Sequence, residues 1–240
     1  MFSQYSSGPN GPIEYKILTK DRIEAALSTQ QESMKQENVA RGVGIYEEEG
    51  AAEALSILFR EVVKDDCSVI AVDVSSDEVV GASFNKLHFP KANDEIDPLL
   101  KVVKNHLKPR SSLALVNFLD DVESRVDMFE RYGTNAAMEI FYVGIAPGYQ
   151  GYKIGHGLVE RSIKLAENFV KYDQQRNTRT AEPGFVFGVF TSNFSQSIAS
   201  KLNFEWLTVA EYEDYEYNGI KMSERIGEEH KNAKLGALKL

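Results

Sequence analysis

An apolar run, a glycine-spaced loop and an amphipathic stretch succeed one another from Glu139 onward, and that succession can hold a phosphate. Ile140-Phe141-Tyr142-Val143-Gly144-Ile145 predicts a buried strand, closed by a turn at Ala146-Pro147-Gly148. Gln150-Gly151-Tyr152-Lys153-Ile154-Gly155-His156-Gly157 forms the loop, and Val159, Ile163, Ala166 and Val170 then recur at helical spacing. The first N–H groups of such a helix have no partner inside it, its dipole adds partial positive charge, and glycines let the backbone approach an anion closely. The loop lacks the GKS or GKT ending of a nucleotide P-loop, which argues against nucleotide hydrolysis. It also lacks G-x-G-x-x-G with a distant acid for a ribose, which argues against a dinucleotide. With no cysteine pair and no H-x-x-x-H, no metal site is expected. His156 either touches the phosphate or is an exposed loop residue. The residues by themselves lead to a ligand that bears phosphate or pyrophosphate.

The elements that must position this unit are legible in outline. Ile13 to Leu18 predicts a first strand, and Thr19 or Asp21 can cap a helix running to about Glu37. Arg41 to Ile45 predicts a loop with glycine breaks. Glu47-Glu48-Glu49 suits the start of a helix over Ala51 to Lys64, with Leu55, Leu58, Phe59 and Val62 on one face. Ser68 to Val74 and Glu78 to Asn85 predict a hairpin. Residues 88 to 111, with Pro90, Pro98 and Pro109, predict irregular chain, and Ser112 to about Tyr132 a helix. Phe185 to Phe190 predicts a central strand, followed by a helix to Leu202 and strands or strand-like segments at Phe204 to Val209 and Tyr212 to Tyr217. The order predicts one α/β (α+β) domain over 13–223, whose mostly antiparallel sheet carries one parallel pair in its middle. Residues 1–12 are expected as a flexible lead-in and 224–240 as a polar C-terminal tail.

Composition bounds the remaining choices. The chain has 240 residues, 42% hydrophobic and 26% charged, which suits a globular protein with a large core. Cys67 is the one cysteine, so no internal disulfide can form, and its place in an apolar run favours structural burial over a catalytic thiol. No stretch approaches a membrane span and the N-terminus lacks a signal-peptide pattern, so a cytoplasmic location and no membrane partner are expected. A net charge of −9 argues against nucleic acid and tolerates a cationic small molecule, or serves solubility alone. A monomer or weak homodimer is expected.

The strand–loop–helix unit resembles the acyl-CoA site of the GNAT superfamily of N-acetyltransferases, whose pattern is V-x-P-x-[YF]-[RQ]-G-x-G-x-[GA]. Here it runs from Ile145 through Pro147, Tyr149, Gln150 and Gly151 to Gly155, with Lys153 where the family has glycine. The likeness extends to the insect arylalkylamine N-acetyltransferases over residues 13 to 220. Their D-E-P-L-N-x-x-V-G-L segment is matched by Gln36-Glu37-Asn38 and Val43-Gly44-Ile45, with Gln and Asn in place of the Asp and Pro. Further matches are Arg131-Tyr132-Gly133, Thr191-Ser192-Asn193-Phe194-Ser195, Lys201-Leu202-Asn203-Phe204 and Tyr212-Glu213-Asp214-Tyr215.

The resemblance implies a GNAT fold with a splayed central strand pair, acetyl-CoA as cosubstrate without a metal, and direct transfer to a small primary amine of the dopamine, serotonin or tryptamine class. It implies Glu37 as general base, since an alkylammonium must lose a proton before it can attack. Thr191 and Ser195 match hydroxyls proposed to protonate the leaving thiolate, or they cap the following helix. A helix tyrosine used by many superfamily members is replaced by Ala199. Val143, Gly144 and Ile145 would cradle the thioester, while Gln150, Gly151, Tyr152, Lys153, Ile154, Gly155 and Asn193 would hold the rest of the cofactor. The side chain of Lys153 would crowd the pyrophosphate or force an unfavourable φ, or else add a phosphate contact. Tyr46, Phe84, Tyr132, Phe141, Tyr142 and Phe190 are candidates for an aromatic amine pocket or for core. Other amines such as a polyamine or amino acid, a longer acyl donor, and an impaired CoA-binding protein are the alternatives.

Overall fold

The computed structural model describes residues 5–89, 97–169 and 181–240. Residues 1–4 of the lead-in, Pro90 and Val170 lie outside the described residues. The strands are β1 (Tyr5–Ser7), β2 (Pro12–Ile17), β3 (Val69–Asp73), β4 (Glu78–His88), β5 (Ala137–Ile145), β6 (Phe185–Phe190), β7 (Glu205–Glu211), β8 (Glu216–Tyr217), β9 (Ile220–Lys221) and β10 (Asn232–Lys239). The helices are α1 (Ile23–Met34), α2 (Asn38–Gly42), α3 (Ala51–Ala54), α4 (Ser56–Val62), α5 (Pro98–His106), α6 (Arg110–Ser124), α7 (Met128–Tyr132), α8 (Ile154–Glu167), α9 (Asn193–Lys201) and α10 (Met222–Ile226).

Eight strands form one sheet in the order β1-β2-β3-β4-β5-β6-β10-β7, and β8 pairs with β9 separately. Every neighbouring pair in the large sheet is antiparallel except β5–β6. The apolar faces of α1, α4 and α6 cover one side of the sheet through Leu27, Phe59 and Phe118. On the other side α8 packs Leu158, Val159 and Ile163 against Tyr15, Met138 and Val186. Among the described residues no helix is long and apolar enough to cross a membrane.

Two expected segment boundaries are corrected. The stretch 224–240 is no tail: α10 ends in it, and β10 sits between β6 and β7. Its inward residues Ala233, Leu235 and Ala237 are buried, but alanine and glycine carry little hydrophobic signal, and Lys234 and Gly236 stand between them. Gly236 fits because Trp206 and Phe190 fill its side-chain space; a Cβ there would lie 2.9 Å from the indole. The lead-in is also structured from Tyr5, since β1 pairs with β2 and the Ser6 hydroxyl bonds that of Tyr15 at 2.8 Å.

Three local expectations change as well. Pro98 does not break the chain but occupies the first turn of α5, where the Asp97 carboxylate accepts from the Leu99 amide at 2.7 Å. The helix expected over 112–132 divides after Ser124, and Asp127 caps the second piece. The expected loop at Arg41 begins instead as the short helix α2, capped by Glu37.

An acidic cluster lies where β5 begins, with Glu139 buried, Glu123 half-buried and Asp120 at the surface. His88 Nε2 is 2.6 Å from Glu139 Oε2, and Glu123 of α6 hydrogen-bonds Glu139, with Asp120 close by. Burial, then the charges of Glu139 and Asp120, push the Glu123 carboxyl well above its ordinary value. The native state therefore holds a proton that the unfolded chain releases, and stability is lost as pH rises from the ordinary carboxylate range through the raised value. Glu123→Gln is expected to melt about 2–4 °C above the unaltered protein at about pH 8, and to lose that advantage at about pH 5. Thermal melts across that range check it; a variant that melts lower at the alkaline end would contradict it.

Candidate active site

The sheet opens where the parallel pairing ends. β5 and β6 pair at Ala137–Phe185, Met138–Val186 and Glu139–Phe187; beyond these, β5 continues along β4 and β6 along β10. Gly188 stands at the branch, where an added Cβ would lie 3.0 Å from the Ile140 carbonyl oxygen. A bulge marks the same level of β5: Phe84 opposes Tyr142 and Asn85 opposes Ile140, which leaves Phe141 as the extra residue. Alternation is broken there, so Phe141 and Tyr142 both pack on Phe59 of α4, edge to face at 5.5 and 5.4 Å.

A cavity of about 1380 Å³ fills the opening. One lobe is walled by Met34, Leu58, Phe59, Leu119, Phe141 and Tyr142. The Tyr142 hydroxyl is 2.9 Å from that of Ser33, and burial raises its pKa, so it stays neutral. The other lobe is walled by the 150–156 loop and by Ser195, Ile198 and Lys201 of α9.

Glu37 lies on the wall of this cavity as the N-cap of α2. Its Oε1 accepts from the Val39 amide at 3.0 Å and from the Thr191 hydroxyl at 2.8 Å; its Oε2 accepts from the Ala40 amide at 2.6 Å. Burial raises its carboxyl above the ordinary value, while these donors pull the other way. The result is an oriented carboxylate with an increased appetite for a proton, which suits a general base.

The following helix takes its start from a reciprocal cap. Ser192 Oγ accepts from the Ser195 amide at 3.1 Å, and Ser195 Oγ accepts from the Ser192 amide at 3.1 Å. Ser195 Oγ also donates to the Ser192 carbonyl at 3.0 Å. The Thr191 hydroxyl, in contrast, points to Glu37.

The loop after β5 is held in shape at both ends. Gly148 (φ 88°) completes a turn in which the Tyr149 amide donates to Ala146 O at 3.1 Å. The Tyr149 hydroxyl donates to Asp73 Oδ2 at 2.8 Å, which ties the loop to the β3–β4 hairpin. Gln150 Nε2 donates to Gln36 Oε1 at 2.9 Å, across from the residue before Glu37. Lys153 takes φ 61° and ψ 15°, a left-handed conformation that is one of the alternatives for a side chain at this place in the loop. Helix α8 starts directly after it, and Gly157 is the first residue whose amide reaches back, to Lys153 O at 3.1 Å. The amides before it are the unpartnered donors of a helix start. Lys153 and Lys201 line the same lobe, so its wall is basic although the chain is acidic.

Most of the expected site residues meet in one place. Glu37, Thr191, Ser195, Val143, Gly144, Ile145, Gln150, Gly151, Lys153, Ile154 and Gly155 all line the cavity. Tyr152 and Asn193 do not. Tyr152 is 42% exposed at the tip of the loop, and Asn193 is engaged by the cavity-wall residues Glu229 and His230, its backbone amide donating to His230 Nδ1 at 3.2 Å and its side chain to Glu229 O at 2.5 Å. Of the aromatic candidates, Phe141, Tyr142 and Phe190 line the cavity; Tyr46, Phe84 and Tyr132 stand elsewhere. Ser33, Asn38, Leu119 and Lys201 belong to the wall without having been singled out for it. Asn38 stood in the Gln36-Glu37-Asn38 match and Lys201 in the Lys201-Leu202-Asn203-Phe204 match, whereas Ser33 and Leu119 carried no such signal. No group of three or more His, Cys, Asp or Glu side chains that could hold a metal occurs among the described residues.

No protein-family model matches the chain, and no curated protein matches it in sequence. Solved structures do. A putative arylalkylamine N-acetyltransferase 7 from the yellow fever mosquito Aedes aegypti matches with a TM-score of 0.77 at 16% identity, over 98% of this chain and 92% of that one. Arylalkylamine N-acetyltransferase 2 of Aedes aegypti matches with a TM-score of 0.71 at 15% identity, over 95% and 98% of the two chains. A Drosophila melanogaster polyamine N-acetyltransferase that catalyses the formation of N-acetylagmatine matches with a TM-score of 0.70 at 14% identity, over 95% and 100%. At these identities the likeness is one of architecture, and with the splayed β5–β6 pair and the glycine loop before α8 it gives the chain the fold of the GNAT acetyltransferases.

Proposed function

We propose that the protein is an acetyl-CoA-dependent N-acetyltransferase that acylates the primary amine of a small arylalkylamine. The observation that carries this reading is the placement of Glu37 in a cavity that joins an apolar aromatic lobe to a basic glycine loop through the splayed strands. In this reading the 150–155 backbone and Lys153 hold the pyrophosphate, and the edge of β5 at Val143 to Ile145 takes the thioester and its developing oxyanion. The amine enters from the apolar lobe and gives a proton to Glu37. Its lone pair then attacks the carbonyl carbon, so a C–N bond forms and the C–S bond breaks, while the second proton of the former ammonium leaves the nitrogen for water. Thr191, already bonded to Glu37, takes the proton held by that carboxyl as it passes its own to the leaving thiolate. The Ser195 proton stays on the helix cap.

The wall of the apolar lobe favours an aryl group over a second cation. Glu37 and Glu229 are the acidic residues among those described around the cavity, and Glu229 lies on the cofactor side beside His230. A diamine or agmatine would set its distal charge against Leu58, Phe59 and Leu119 with no counterion, and a buried unpaired charge is costly. Thiol release from acetyl-CoA, measured over tryptamine, phenethylamine, agmatine, putrescine and glycine, tests the proposal. The arylalkylamines are expected to exceed agmatine in kcat/KM by roughly 100-fold. Agmatine or putrescine as the better substrate would move the function to polyamine acylation. No thiol release with any amine, together with a melting temperature raised by CoA, would leave a CoA-binding protein.

A further inference from the structure

The geometry points to Tyr212 as a positioning residue that, with Asn38, fixes the hydroxyl of Thr191 on Glu37. The inference rests on the proposed transferase reading for its catalytic meaning, but its structural basis is independent. Thr191 is the first residue beyond β6, and the β6–β10 ladder ends at Phe190–Lys234, so no strand partner holds its peptide. Two side chains replace the ladder. Tyr212 Oη donates to the Thr191 carbonyl at 2.6 Å, and Asn38 Nδ2 donates to the same oxygen at 2.8 Å. That carbonyl thus accepts two hydrogen bonds, as many as its two lone pairs allow, and together they fix the peptide. From this plane Thr191 Oγ1 reaches Glu37 Oε1 at 2.8 Å.

Each donor is itself held. Tyr212 is fully buried in the turn after β7; its amide donates to Lys231 O at 2.9 Å and its ring packs on Phe118 of α6 at 5.9 Å. Asn38 is the first residue of α2, next to the base. Burial, followed by the charge of Glu37, raises the pKa of the Tyr212 phenol, so it stays a donor at every working pH. The same interaction places Tyr212 within electrostatic reach of the carboxylate. The other groups that face Glu37 are Tyr142 of β5 and Tyr46 of the segment after α2, with Arg41 of α2 and Lys35 also on the cavity wall.

Tyr212→Phe removes one oxygen and keeps the ring. Thr191 then loses its aim, Glu37 loses a donor to its charged form, and the carboxyl pKa rises further. The expected result is a fall in kcat of about 3- to 10-fold with little change in the amine KM, and an acid limb of the kcat/KM profile displaced to higher pH. Thr191→Val should shift the limb in the same direction, and Tyr212→Phe added to Thr191→Val should shift it no further. Asn38→Ala, which removes the other donor, should move the limb the same way as Tyr212→Phe. An unmoved limb and kcat in Tyr212→Phe would overturn the inference, and so would a full extra shift in the Thr191→Val background. The Glu37 carboxyl carbon resonance, assigned by its loss in Glu37→Gln, gives the same comparison without turnover. If no amine releases thiol, the transferase reading fails, while an upward titration shift of that resonance in Tyr212→Phe still upholds the clamp and its absence refutes it.

Discussion

Glu37→Gln is expected to lower kcat/KM for a primary arylalkylamine by roughly 100- to 1000-fold, the range for loss of a positioned general base. The amide is nearly isosteric, so the cavity keeps its shape. One of the two carboxylate oxygens becomes an NH₂, however, and it must face either the Ala40 amide or the shared site of the Val39 amide and the Thr191 hydroxyl. Two donors then oppose each other, and the cap of α2 weakens by about 1 kcal/mol, or about 2–4 °C in melting temperature. Rates must therefore be compared well below the transition. The pH dependence separates the chemical loss from the structural one. Burial raises the Glu37 carboxyl, and the base must be ionised to work, so activity of the unaltered enzyme should fall as pH drops through a value above the ordinary carboxylate range. In Glu37→Gln that limb should vanish, and the residual rate should climb with the fraction of free amine. A variant within about threefold of the unaltered enzyme across the profile would remove Glu37 from the role of base.

What could be read in advance followed the strength of the local signal. β5 and β6 are continuous apolar runs, and the loop between β5 and α8 has glycine and proline at turn positions, so strand, loop and helix were all expected. The hairpin of β3 and β4 and the helix α9 were legible for the same reason. β10 was not, because its buried face is alanine, leucine and glycine and its partners supply the bulk. The bulge at Phe141 has no sequence mark; it is a consequence of β5 changing neighbours, and it decides that Phe141 and Tyr142 share the acceptor lobe. Likeness to a family brought Glu37 and Thr191 forward as separate candidates, one for each half of the reaction. Their direct hydrogen bond is a tertiary fact, produced by two segments 154 positions apart. The same holds for Tyr212, whose motif was visible but whose partner depends on β10 pairing with β7 on one edge and β6 on the other.

Lys153 offers the second large effect, because its backbone and its charge can be altered separately. Its φ of 61° costs a side-chain-bearing residue about 1 kcal/mol that glycine does not incur, offset in part by the greater freedom of glycine in the unfolded chain. Lys153→Gly should therefore melt about 1–3 °C higher, while the affinity for acetyl-CoA falls about 3- to 10-fold through loss of an ammonium beside the phosphates. Lys153→Glu keeps the strained backbone and turns attraction into repulsion, and should weaken binding by roughly 100-fold. Calorimetric dissociation constants at low and high salt check both. The deficit of Lys153→Glu should shrink as salt screens a solvent-accessible charge, whereas the melting gain of Lys153→Gly should not respond. If both variants bind as tightly as the unaltered protein, the ammonium takes no part in holding the phosphates. The backbone amides at the start of α8 would then carry the pyrophosphate alone, and the left-handed lysine would be a strain without a compensating contact.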